Sequence, residues 1–409
     1  MKTTTATATD PLPFPAAHVD GAGQLLQFLR SAQDSTISEI AAAMGLSRST
    51  VILRLDALAT AGLIQTQPGS NGARGRPAAV IRFNPDSAIL LAAQVGITGC
   101  RLAATDLNGE LLGSGFIDVN LSCGPTGLLA DMVTGFDAII ADLGRASAVV
   151  AGIGLGMPSA VELLSYSRSL GLTGADWNRE RFRADISERY SAPVSVDLDV
   201  NMLALAERRI AWPDVEVFVC VKLGTLIDAA IVVNDLPIRG ASDGAGGLGH
   251  IKVMGSTLPC TCGGIGCLDA VASGSALVRQ LARSGFDVSH VSDVIRLVDQ
   301  GHPEALLAVR DAGKRIGEAL STVVNLLNPA VISIWGYLTG AESVLFAGIR
   351  EGLSQSALPR SSEELQLVVT ALGESAGVRG AAMRVIDEVL KPAAIDRLVS
   401  TGSWLPPAS

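Results

Sequence analysis

The spacing of apolar positions changes character along the chain, and each change marks a structural boundary. Residues 1–20 (MKTTTATATDPLPFPAAHVD) follow neither a helical nor a strand period and read as a flexible lead-in. From Gly21 the period is helical: Leu25, Leu26 and Leu29 form one apolar stripe, and Ile37, Ile40, Ala41 and Met44 form a second. Thr36 and Glu39 stand at capping-box spacing ahead of the second stripe, and Gly45 ends it. Ser47 is placed to cap a third helix, in which Val51, Leu55 and Leu58 recur at i, i+4 and i+7. Two short helices joined by a tight glycine turn, then a longer one, predict a helix-turn-helix. The segment QTQPGSNGARGRPAAVIRF then predicts strand, glycine-rich tip and strand, the wing of a winged helix that ends near Asn84.

Beyond Ser87 the pattern shortens. ILLAAQVGITG, CRLAATDL and ELLGSGFIDV read as three strands, with Asn108-Gly109 supplying the turn before the third. A helix follows over about Thr126–Leu143, then the buried strand VVAGIGLGM, the strand APVSVDLD and the helix NMLALAERRIA. After Trp212 the order resumes: VFVCVKLG and LIDAAIVV are strands, with a glycine-rich loop and helices beyond. Two successive groups that each open on antiparallel strands and pass into α/β structure predict a duplicated, two-lobed body with a cleft between the halves.

Composition narrows the class. The 409 residues are 48% hydrophobic and 17% charged, with a mean hydropathy of +0.39, which excludes an intrinsically disordered chain. The net charge of −9 excludes polyanion binding by bulk electrostatics, but the balance is uneven. Residues 1–84 carry a net of +2, and the remainder carries −11. A slightly basic head on an acidic body suits a nucleic-acid-binding module. Residues 1–20 lack the pattern of a secretory signal. The longest uncharged stretch, Ala319–Ala341, is interrupted by Asn325, Asn328, Pro329 and Gly336, so it reads as buried core rather than a membrane span. These features predict a cytoplasmic protein without membrane attachment.

Within the head, Ser47, Arg48, Ser49, Thr50 and Arg54 lie off the Val51–Leu55–Leu58 face. Hydroxyls and guanidiniums there can serve phosphates and base edges of duplex DNA, although each alone also suits a solvated helix face. The wing tip adds Arg74 and Arg76 in Arg74-Gly75-Arg76-Pro77, an arm suited to a narrow minor groove. Helix and wing together point to DNA.

Three of the six cysteines cluster in Cys260-Thr261-Cys262-Gly263-Gly264-Ile265-Gly266-Cys267, ten residues after His250. Three thiolates and one imidazole form the closed tetrahedral set of a structural zinc site. Four filled positions leave no place for a reactive water, so the expected Zn2+ is structural. A disulfide between two of the three is the alternative, and it would leave the third thiol and His250 without a role. The expected organisation is a lead-in over 1–20, a winged head over 21–84, a first lobe over 85–203, a second lobe over 204–393 and a tail over 394–409. The second lobe would contain the zinc element 250–269 and a C-terminal helix returning to the body.

A winged helix ending in GRP, followed by GIGLGMP, VDLDVN, GGLGH and CTCGGIGCLD, resembles the ROK family of repressors and sugar kinases from about Gly21 onward. The resemblance implies two actin- or hexokinase-like α/β lobes around a sugar-binding cleft. For members with a winged helix it implies a transcription factor, a homodimer or homotetramer on a palindromic operator, in place of an enzyme. The element with His250, Cys260, Cys262 and Cys267 is the most specific part of the resemblance.

Several family motifs are altered. The Asp-x-Gly-Gly-Thr turn of the kinase members is Gln94-Val95-Gly96-Ile97-Thr98 here, and their second phosphate loop is Gly224-Thr225-Leu226-Ile227-Asp228-Ala229-Ala230. A later glycine pair is Trp335-Gly336. Phosphate cradles need bare backbone N–H groups and positive potential. Leu226, Asp228 and Trp335 are therefore expected to plug the nucleotide side with bulk and negative charge. On the sugar side, Asp199, His250 and Asp269 remain as candidate effector residues, with Asp199 equally suited to cap the following helix. The amide beside it is replaced by Leu198, and the carboxylate before His250 by Gly247. Taken together, the sequence predicts a DNA-binding regulator of carbohydrate-related genes, a repressor with a small sugar-like effector between its lobes and kinase activity lost. An effector-independent DNA-binding protein is the second reading, and a sugar kinase the third.

Overall fold

The computed structural model describes residues 20–32, 34–68, 79–97, 99–119, 124–145, 149–159, 179–241 and 243–406. In the head, α1 (Ala22–Ser31), α2 (Ile37–Met44) and α3 (Arg48–Thr60) are followed by the antiparallel pair β1 (Ile64–Gln67) and β2 (Val80–Phe83). The expected caps form: Thr36 and Glu39 close a reciprocal capping box on α2, and Gly45 ends that helix at φ 64°. Ser47 Oγ accepts the Thr50 N–H at the start of α3. Val51, Leu55 and Leu58 face the core. The wing tip, with Arg74 and Arg76, lies outside the described residues.

The first lobe contains β3 (Ile89–Val95), β4 (Gly99–Thr105), β5 (Leu111–Asp118), α4 (Gly124–Asp142), β6 (Val150–Met157), α5 (Arg179–Tyr190), β7 (Val194–Leu198) and α6 (Asp199–Ile210). Its sheet runs β5-β4-β3-β6-β7, antiparallel from β5 to β3 and parallel from β3 to β7. The second lobe contains β8 (Val217–Leu223), β9 (Ile227–Val233) and β10 (Leu236–Pro237). It continues through α7 (Leu268–Ala272), α8 (Gly274–Arg283), α9 (Val291–Asp299), α10 (Pro303–Leu327), β11 (Val331–Trp335), α11 (Glu342–Ser356), α12 (Pro359–Glu363) and β12 (Gln366–Val369). Its sheet, β10-β9-β8-β11-β12, repeats the same order of antiparallel and parallel pairs. The duplication read from the apolar pattern is present in the topology.

Both sheets are covered on two faces, which is why β6 and, apart from Gln94, β3 read as continuous apolar runs. Helix α6 is shared. All residues from Asp199 to Arg208 are buried, with Leu203 and Ala204 against Phe218, Cys220 and Val232 of the second sheet and Met202 in the core beside Ala92 of the first.

The chain ends with α13 (Ala376–Val389) and α14 (Pro392–Thr401). Helix α13, expected with the second lobe, packs against the first sheet: Val378, Ala381 and Ala382 join Ala92 and Ala103 in one core. The segment read as a tail begins inside α14, whose Ile395, Leu398 and Val399 are buried. These side chains share one continuous core with Leu25, Leu26 and Leu29 of α1, Val51 and Leu58 of α3, and Val385, Ile386 and Val389 of α13. Head and body are thus joined through apolar contact as well as through the chain.

Candidate functional site

Three features were singled out by sequence: the DNA-facing surface, the metal set and the cleft. In the head, Ser47, Arg48 and Ser49 are exposed at the start of α3, with Thr50 half-buried beside them. Ser47 Oγ lies 2.9 Å from Ser49 Oγ and 2.8 Å from Thr50 Oγ1, so the hydroxyls form one cluster at the helix N-terminus. Arg54 is placed differently. It is half-buried, and its guanidinium lies so close over Gly21 that a Cβ there would stand 2.3 Å from Nη2. It braces α1 against α3. The same face of α3 carries two residues that the sequence reading passed over, Ile52 at 39% and Leu53 at 46% exposure. Their signal was available: both are apolar and both fall outside the i, i+4, i+7 stripe.

The metal set converges. One donor atom from each of His250, Cys260, Cys262 and Cys267 lies within 4.8 Å of the other three. Cys262 Sγ and Cys267 Sγ are 3.8 Å apart, and His250 Nδ1 and Cys260 Sγ 3.9 Å. A tetrahedral zinc with sulfurs about 2.3 Å away holds those sulfurs about 3.8 Å from each other, so the donors fit such an ion. Burial, with the neighbouring thiols, pushes the Cys260 thiol up to about 12 when no cation is bound. Metal capture would therefore displace protons. Lys252, missed by the sequence reading, donates from Nζ to Cys267 Sγ at 3.0 Å. Its ammonium offsets the single negative charge that three thiolates leave on a divalent ion.

The cleft between the lobes holds a cavity of about 360 Å3. Gln94, Ile97, Arg101 and Phe116 border it from the first lobe, and Lys222, Thr225, Leu226, Trp335 and Tyr337 from the second. Of the three expected effector residues, only Asp199 reaches it. Asp269 is buried, with Oδ1 accepting the Ile227 N–H at 2.9 Å, and His250 belongs to the metal set. The expectation of a plugged nucleotide side needs correcting. Leu226 and Trp335 do line the space, but the space remains. Asp228 does not border it; it stands opposite Lys222 across the β8–β9 ladder, where neighbouring side chains share a face.

Lys222 Nζ lies 2.8 Å from Asp199 Oδ2, and both residues are buried. Asp199 is therefore neutralised by a residue that the sequence reading did not connect with it. The neighbouring Asp197 is also buried, accepting from Asn201 Nδ2 at 2.7 Å and from the Arg239 guanidinium. Farther along α6, Glu207 accepts the N–H groups of Ala371 and Leu372, and burial raises its pKa. Acids along α6 thus tie the shared helix to the second lobe.

A helix-turn-helix head on a duplicated, cleft-bearing α/β body defines the class. Residues 90–388 match the ROK family, and the chain belongs to it. Residues 19–68 match the IclR helix-turn-helix domain. The chain is 24% identical over 367 residues to a putative xylose repressor of Caldicellulosiruptor sp. strain Rt8B.4, covering 86% of this chain and 92% of the relative. It is 28% identical over 307 residues to a glucokinase of Halalkalibacterium halodurans, covering 70% of this chain and 91% of that enzyme. The crystal structure of a ROK family transcriptional regulator, a homolog of the E. coli MLC protein, shares the fold. Its TM-score is 0.73 at 23% identity, over 94% of this chain and 99% of that one. The match to the xylose repressor spans 86% of the chain and the match to the glucokinase 70%.

Proposed function

We propose that this chain is a DNA-binding repressor of carbohydrate-related genes, switched by a small effector between its lobes, and that it transfers no phosphoryl group. The observation that carries this reading is the path of α13. Its first turn abuts the cleft: a Cβ on Gly377 would stand 2.1 Å from the Gln94 side-chain amide, and Gln94 borders the cavity. Its far end, Val385 to Val389, belongs to the head core. Fourteen residues of helix form a rod of about 21 Å between ligand space and DNA head.

A ligand that favours one closure of the lobes would therefore move the base of the head. Operator half-sites recur about 34 Å apart or at multiples of that, so a homodimer or homotetramer loses simultaneous grip when its heads are displaced. A hundredfold release needs a coupling of about 2.7 kcal/mol, within the usual allosteric range. Ser47, Arg48, Ser49 and Thr50, with Arg74 and Arg76 of the wing, are the proposed DNA contacts, and Arg54 supports them from behind. Zn2+ bound by His250, Cys260, Cys262 and Cys267 would stabilise the loop that leads to Asp269. Among the described residues no helix is long and apolar enough to cross a membrane, consistent with a cytoplasmic site of action.

Loss of phosphoryl transfer rests on the Gln94 turn, on Leu226 and on the Lys222 partner that occupies Asp199. The repressor reading is tested by selecting fragments from a random duplex library with purified protein. Recovery of a shared, inverted-repeat sequence is expected, and recovery of none ends it. In parallel, a coupled ATP-consumption assay over a hexose panel should remain at background.

A further inference from the structure

We infer that the inter-lobe cavity is built for an uncharged glycoside carrying a flat apolar aglycone, and that it discriminates against phosphorylated ligands. This rests on the reading above that an effector binds between the lobes, and it adds the chemical and charge class of that effector. Among the described residues four charged ones border the cavity, and they are matched two by two. Lys222 pairs with Asp199 at 2.8 Å, and the Arg101 guanidinium pairs with Glu374 across the lobes. Among the described residues no excess positive charge remains there to attract a phosphate. The glycine amides at two of the altered phosphate turns are also engaged: Gly96 N–H donates to the Gly99 carbonyl at 2.8 Å, and Gly224 N–H to the Leu226 carbonyl at 3.1 Å. Phosphate recognition needs such groups turned toward the ligand.

What the lining offers instead is neutral. Gln94, Thr225, Thr339 and Thr370 present amide and hydroxyl groups suited to sugar hydroxyls. At the mouth, Phe116 is 55% and Tyr337 57% exposed, and the Trp335 indole is held by its Nε1–H bond to the Gly373 carbonyl at 3.0 Å. The Arg101 guanidinium lies over one face of Phe116, 5.5 Å from the ring centroid, so Phe116 offers its other face, beside Tyr337. Aromatic surface beside a polar interior matches a molecule that is hydroxylated at one end and flat and apolar at the other. His250 and Asp269 do not border this space; of the three polar groups that the sequence singled out, Asp199 alone does, and Lys222 neutralises it.

Isothermal titration of the full chain, without DNA, tests the assignment. The probes are the p-nitrophenyl β-glycosides of xylose, glucose and N-acetylglucosamine, the three free sugars, glucose 6-phosphate and Mg-ATP. At least one aryl glycoside should bind ten times or more tightly than its free sugar and than either phosphorylated probe. Tyr337→Ala and Phe116→Ala, at exposed positions, should each weaken that binding about tenfold. Glu374→Gln frees Arg101 and should raise affinity for glucose 6-phosphate. The inference is overturned if no aryl glycoside binds, if free sugar binds equally well, or if a phosphorylated probe binds best. DNA retention is measured on the same preparation. Its failure alone removes the repressor reading, and glycoside failure with DNA retained removes only this one.

Discussion

Asp396, in the last helix, caps the first: its carboxylate accepts the N–H of Gly23 at 2.7 Å and that of Gly21 at 3.2 Å. The two helices meet without a side chain between them, since a Cβ on Gly23 would stand 2.1 Å from the Pro392 carbonyl oxygen. Anions at a helix N-terminus satisfy donors that have no partner within the helix. Here the anion comes from the body, so the start of the head is held by the end of the chain.

Asp396→Ala should cost about 1 kcal/mol, the usual effect of losing such a cap. Hydrogen exchange should show the loss first in the amides of α1, and operator affinity should fall with the head's order. Gly23→Ala should be worse than Asp396→Ala in thermal melts, because it forces α1 and α14 apart.

The Lys222–Asp199 pair is buried at the wall of the cavity, so breaking it from one side is expensive. Lys222→Met leaves Asp199 buried without its cation and should destabilise the fold by about 3–5 kcal/mol. The double variant Lys222→Met with Asp199→Asn should recover most of that loss in urea melts. A smaller single-variant effect than the double's would contradict the pairing.

Glu207 sets a pH dependence. Burial raises its pKa above the ordinary 4.5, while the N–H groups of Leu372 and Ala371 act in the opposite direction. The folded state therefore holds this proton more tightly than the unfolded chain. That contribution is complete below pH 4.5 and disappears as pH rises through the elevated folded value. Urea midpoints of wild type and Glu207→Gln, compared between pH 4.5 and 8, should show wild type losing stability relative to the variant with rising pH.

Metal removal should loosen a loop rather than unfold the protein. Elemental analysis should find about one zinc per chain by the four-donor rule. Chelation should lower the melting temperature and expose Cys262, already the exposed member of the set, to iodoacetamide. Cys100 and Cys220 are buried, and burial pushes the Cys100 thiol up to about 12, so both should resist alkylation until the fold opens.

On the DNA side, Arg48→Ala should reduce the slope of log affinity against log salt by about 1 if Arg48 touches a phosphate. Leu53 is apolar and exposed, and apolar groups in the major groove meet thymine methyls. Replacing thymine by deoxyuridine in the selected operator should weaken wild type and leave Leu53→Ala unchanged.

What the amino-acid order determined by itself was local. The Thr36–Glu39 box, the Ser47 cap and the Cys260–Cys262–Cys267 loop join residues a few positions apart, where short-range hydrogen bonding and glycine turns decide the geometry. Strand runs and their duplication followed from apolar period, because sheets covered on both faces need continuous apolar strands. The long-range polar partners came from tertiary structure alone. Lys222 lies 23 residues from Asp199, Arg239 lies 42 from Asp197, and Asp396 lies 373 from Gly23. No period or spacing relates such residues. They meet because two lobes and a returning C-terminal helix pack around α6, and a buried charge then takes whichever opposite charge that packing brings within reach.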